Sequence, residues 1–208
     1  MTNIGAFSIG SKESGLLGFQ NTALLLNYPI PMDMPPKIKV KGVSASSQHV
    51  LTWDMDGRLY SWGSNLHGKL GIDSKHKNDF FVLKPTLVET LAKKRVYTGL
   101  AGVNSSFVIT NKGQIYYWGK PFNSVEGRGS VFTRPTKLEK SPKTLEVMKD
   151  KNLFEKIVFV KMVNYGHNYG AIDIKGRVFS FGENNTENLG FGLNDTEFHP
   201  EEANLVGQ

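Results

Sequence analysis

The chain has 208 residues, of which 39% are hydrophobic and 21% charged, with 25 Lys and Arg against 19 Asp and Glu for a net charge of +6. That balance excludes a disordered chain, and without a run of 18 apolar residues no spanning helix is expected. The absence of cysteine removes a disulfide scaffold, a thiol nucleophile and a Cys-type zinc site.

A strand is expected over residues 6–10, Ala6-Phe7-Ser8-Ile9-Gly10, followed by an edge strand over 29–34. Three similar stretches follow: Leu59-Tyr60-Ser61-Trp62-Gly63, Ile115-Tyr116-Tyr117-Trp118-Gly119 and Val178-Phe179-Ser180-Phe181-Gly182. Their closing glycines, Gly10, Gly63, Gly119 and Gly182, recur at spacings of 53, 56 and 63 residues. Downstream, Gly68 and Gly71 stand at the same offsets from Gly63 as Gly15 and Gly18 do from Gly10. Such self-similarity marks a repeat architecture.

Each later copy predicts four strands. A first runs over 38–43, 96–101 and 158–163, a second over 50–53, 107–110 and 171–174, and a third ends in the signature glycine. Short glycine turns join the second to the third. The fourth lies near a proline, over 85–91, 135–139 and 200–206, and proline suits an outer edge because it cannot donate to a ladder. Strand side chains alternate with period two, so Tyr60 and Trp62 share one face, as do Tyr116 with Trp118 and Phe179 with Phe181. Bulky residues there suit sheets stacked face to face. The expected fold is all-β, a partial propeller of four-stranded antiparallel blades. Its expected division is a half repeat over 1–36 and repeats over 37–92, 93–156 and 157–208, with an insertion at 140–156.

The chemistry-bearing residues form no catalytic, cofactor or metal constellation. His49, His67, His76, His167 and His199 are scattered, and His49, at the entry to a strand, is expected to hydrogen-bond backbone. The paired aromatics are expected to be core rather than a base-stacking platform. Interaction is expected from loops that leave the pattern. These are Lys75-His76-Lys77, Lys93-Lys94-Arg95, and the insertion, whose Glu146 and Lys149 fall on a short expected helix.

The copy running from His49 through Gly57, Trp62-Gly63 and Asn65 to Gly68-Lys69-Leu70-Gly71 resembles the regulator of chromosome condensation repeat family. The resemblance implies a seven-bladed ring, of which this chain would supply about three and a half blades, a longer parent chain or a second chain supplying the rest. It implies a non-catalytic protein-interaction scaffold, or alternatively guanine-nucleotide exchange on a Ran-like small GTPase. Chromatin or nucleic-acid binding ranks last, because the positive charge is spread along the chain. No leader is legible at the start of the sequence, and a cytoplasmic or nuclear location is expected.

Overall fold

The computed structural model describes residues 6–11, 15–18, 25–72, 79–120, 131–138, 158–166, 168–182 and 197–202. They form fourteen strands in four antiparallel sheets. β1 (Phe7–Ser11) and β2 (Leu25–Pro31) make a two-stranded sheet. The first full sheet is β3 (Val40–Ala45), β4 (His49–Asp54), β5 (Leu59–Ser64) and β6 (Phe81–Leu87). The second is β7 (Val96–Ala101), β8 (Ser105–Thr110), β9 (Ile115–Gly119) and β10 (Phe132–Lys137). The third is β11 (Phe159–Tyr165), β12 (Asn168–Asp173), β13 (Val178–Gly182) and β14 (Glu197–Glu202). Each is a meander in chain order, the blade of a β-propeller.

In the first two sheets the central strands are buried on both faces, and every residue of β4, β5 and β8 is inside, whereas β12 of the third sheet alternates. A half-solvated sheet would show alternation, so the first two sheets are sandwiched between neighbours. The first and second sheets share a core of Leu51, Trp53, Leu70, Val96, Val108 and Trp118. The second and third share Phe107, Ile109, Phe159, Tyr169, Phe179 and Phe181. There the Phe107 and Tyr169 rings lie 4.4 Å apart, centre to centre.

The fourth strands begin about four residues earlier than the prolines suggest, and the prolines lie inside them. In every sheet three residues of the fourth strand oppose one residue of the third. Residues 27–29 face Ile9, 83–85 face Trp62, 133–135 face Trp118 and 198–200 face Phe181. Pro29, Pro85, Pro135 and Pro200 each close that bulge, where the ladder asks for no N–H. A second bulge recurs on the innermost strands. Lys41, Tyr97 and Val160 are each an extra residue without a partner on the second strand.

Candidate functional site: sheet seams and turn clusters

Neighbouring sheets are tied by repeated polar contacts. The indole Nε1–H of Trp62 donates to Leu16 O at 2.9 Å, in the loop after β1. Trp118 Nε1–H donates to Lys69 O at 2.8 Å, in the equivalent loop after β5. That loop runs beneath the indole without a side chain at Gly71. A Cβ on Gly71 would lie 2.6 Å from Trp118 Nε1, and its φ of +65° is one that glycine adopts freely. Among the predicted aromatic repeat residues, Tyr60, Trp62, Tyr116, Trp118, Phe179 and Phe181 are all buried. They are core, with no ring face open for a base.

Strand pairing puts His49, Ser105 and Asn168 opposite Gly63, Gly119 and Gly182. His49 and Ser105 look across a seam. His49 Nε2 is 2.8 Å from Ser106 Oγ on the next sheet, and its Nδ1 is 3.0 Å from Ser46 Oγ. The imidazole therefore bonds side chains rather than the expected backbone. Because Ser106 Oγ–H is spent on Lys69 O at 2.7 Å, Nε2 must be the donor to Ser106. Ser105 Oγ meets Tyr169 OH at 2.9 Å in the same way. At the third sheet the buried Oδ1 of Asn168 has no hydrogen-bond partner.

Burial, and then the Lys69 ammonium, press the His49 pKa down to about 3. Lys69 is fully buried; its Nζ donates to Gln48 Oε1 and, at 3.4 Å, to Val103 O. Burial lowers its pKa to about 8. Partly buried His67, near Lys120 and Lys69, is also shifted downward, chiefly by desolvation. With a folded pKa below the unfolded value of 6.5, His49 binds a proton only in the unfolded chain between about pH 6.5 and 3, so its contribution to stability is lost as pH falls through that range. The wild type should lose about 2 kcal/mol between pH 6.5 and 5 from this group alone. His49→Gln should flatten that slope in urea denaturation followed by circular dichroism; equal slopes would show that His49 is not the titrating group.

At the opposite ends of the strands, the second-to-third turns of the first and third sheets are built on a signal that sequence reading passed over, Asp then Arg four residues on, where the second sheet has Thr110 and Gln114. Asp54 Oδ1 accepts the backbone N–H groups of Asp56 and Arg58 while Arg58 Nε donates to Oδ2 at 2.7 Å. Asp173 repeats this with Lys175 and Arg177. Burial alone would raise the Asp173 pKa, but its hydrogen bonds with Arg177 outweigh that and lower it. The turns of the first and second sheets also grip the sheet that follows. Val96 N–H donates to Gly57 O at 2.8 Å and Phe159 N–H to Gly113 O at 3.1 Å.

Of the candidate loops, Lys93, Lys94 and Arg95 are described and exposed. Lys94 Nζ stands 5.7 Å from the centre of the Tyr116 ring, and Arg95 has a φ of +52°. Lys75, His76, Lys77, Glu146 and Lys149 lie outside the described residues, as does the insertion at 140–156. Among the described residues no three or more His, Asp or Glu gather where they could hold a metal ion, and no helix is long and apolar enough to cross a membrane.

Comparison with known proteins shows what this chain is similar to. Residues 56–109 match the model of the regulator of chromosome condensation (RCC1) repeat. The chain is 28% identical over 188 residues to the E3 ubiquitin-protein ligase HERC2 of Mus musculus, covering 89% of this chain and 4% of that protein. Human WBSCR16 superposes with a TM-score of 0.78 at 18% identity, over 97% of this chain and 48% of its own. Prp20p of Saccharomyces cerevisiae does so with a TM-score of 0.68 at 21% identity, over 91% and 44%. The chain thus spans under half the length of each of these proteins. It carries a regulator of chromosome condensation repeat at residues 56–109 and has the fold of propellers built from such repeats.

Proposed function

We propose that the chain is a non-catalytic protein-interaction scaffold. The carrying observation is the repeated seam, in which indole, hydroxyl and turn-backbone bonds lock each sheet to the next and hold the exposed turns in fixed relation. Rigid elements carrying variable loops suit recognition. Among structural neighbours, Prp20p is a protein with reported binding to Gsp1p and histones, and yeast RCC1 has been seen bound to Kap60. The blade division given above is part of this reading. So is the completion of a ring by sheets from a longer parent chain or a second chain. What supports completion is the face of the third sheet around Asn168, where Ile172 is 37% exposed against 1% for its counterpart Ile109.

The alternative is guanine-nucleotide exchange on a Ran-like small GTPase, favoured by the fold shared with Prp20p. Stopped-flow release of a fluorescent guanine nucleotide from a panel of small GTPases, Ran included, separates the two. The scaffold reading expects release at the uncatalysed rate together with saturable binding to a protein partner. Accelerated release would transfer the reading to exchange, and absence of any saturable partner would remove both.

A further inference from the structure

Where the first and second sheets meet, at the turn end of the strands, a cleft of about 200 Å³ is lined by Lys41, Met55, Asp56, Arg95, Tyr97 and Asn111. Four independent pieces of local structure converge on it. Lys41 and Tyr97 are the bulge residues of β3 and β7, pushed out of the ladder at equivalent positions; bulges re-aim side chains in this way. Met55 and Asp56 come from the turn between β4 and β5. Arg95 is carried by a left-handed backbone conformation immediately before β7. The turn that carries Met55 and Asp56 is tied to β7, because Val96 N–H is bonded to Gly57 O, and Arg95 is tied to Asn111, whose N–H donates to Arg95 O, both at 2.8 Å.

The charge in this cleft is not balanced from within. Its one carboxylate, Asp56, is already held by Arg58 Nη2 at 2.7 Å. Lys41 Nζ rests 4.6 Å above the Tyr97 ring, a contact that orients the ammonium without neutralising it. Lys39, Lys93, Lys94 and Lys112 are exposed on the segments that lead into the cleft. Neither they nor Lys41 and Arg95 form an ion pair among the described residues. Beside the cations, Met55 is 66% exposed and Tyr97 47% exposed, so an apolar floor adjoins the positive rim.

We infer that this cleft is a docking site for an acidic segment of a partner polypeptide. One carboxylate side chain enters between Lys41 and Arg95, and an adjacent apolar side chain lies on Met55 and Tyr97. The volume suits one or two side chains. A nucleic-acid backbone fits less well, since it asks for a continuous cationic track and would place phosphate against Asp56. The inference rests on the scaffold reading and gives it a partner chemistry.

The test uses the full chain and a short fluorescein-labelled peptide of alternating glutamate and leucine, read by fluorescence anisotropy. Its glutamine counterpart and a single-stranded oligonucleotide are run beside it. Saturable binding of the glutamate peptide is expected, weakened at least about tenfold by Lys41→Gln with Arg95→Gln and by the glutamine peptide, roughly the effect of removing one well-placed charge contact. Lys84→Gln, on the outer strand β6 where Lys84 pairs with Asp33, should leave it unchanged. An unaltered urea midpoint for the double variant certifies its fold; if it shifts, Lys41→Gln alone is read in the same way. Equal affinity for both peptides, insensitivity to the substitutions, or preference for the oligonucleotide would each overturn the inference. If a protein partner is captured but the cleft variants do not affect it, the scaffold stands and the cleft falls. If no partner binds at all, the scaffold reading itself has failed.

Discussion

Trp118→Ala is expected to lower the free energy of unfolding by about 3–5 kcal/mol, the range for emptying a large aromatic from a packed core. The indole is fully buried in the seam between the first two sheets, and it stands on the loop at Gly71 with no side chain between them. Trp118→Phe isolates the polar part of that role. Lys69 O would lose the Nε1–H but keep the Ser106 hydroxyl, so the acceptor would not be orphaned. The phenylalanine variant should then cost about 1–2 kcal/mol, within the net range of one hydrogen bond plus a small cavity. The third sheet places Phe181 at the equivalent point and buries it completely, so a ring without a donor is compatible with the site. Urea denaturation followed by far-ultraviolet circular dichroism measures both variants. Equal losses for Phe and Ala would mean that the hydrogen bond, rather than ring burial, holds the seam.

That seam also marks how far the sequence could be read. Strand type, number and order were legible because the glycine signature repeats with alternating aromatics, and period and turn chemistry point the same way. The bounds of β7, β9 and β13 agree with the periodicity to the residue. Edge strands were displaced because proline was read as opening them. It closes a wide bulge instead, and a bulge breaks the two-residue period on which reading a strand depends. The bulges at Lys41 and Tyr97 were illegible for the same reason: an extra residue in one strand has no signature until its partner strand is known. The pairing of His49 with Ser106 joins residues 57 apart in sequence, and no local pattern announces it. Arg95 was legible as a basic run, but not as one wall of a cleft, since the opposite wall comes from Lys41 on another sheet.

Gly63→Ala should cost about 3–5 kcal/mol, and Gly10→Ala at the equivalent point of the first, two-stranded sheet should cost distinctly less, about 1–3 kcal/mol. Both glycines have a backbone disfavoured for side-chain-bearing residues, with φ of +104° and +120°, so each variant stores conformational strain. They differ in what a methyl group would meet. At Gly63 it would lie 2.6 Å from Gln48 O and 2.8 Å from His49 Cα, backbone atoms of the adjoining strand entry, whereas at Gly10 nothing lies within 4 Å. The Gln48 carbonyl is further held by Ser64 N–H at 2.8 Å, so the neighbour cannot withdraw without breaking the ladder beside His49. Among the described residues β1 pairs with β2 alone, and none of them supplies such atoms beside Gly10. Thermal and urea unfolding of the two variants therefore separate strain from collision at one repeat position. Equal destabilisation would show that the sheet relaxes around the added methyl, and that the signature glycine answers to its φ alone. A larger loss at Gly63 would mean that the glycine closing each third strand serves contact with the second strand as well as its own backbone turn.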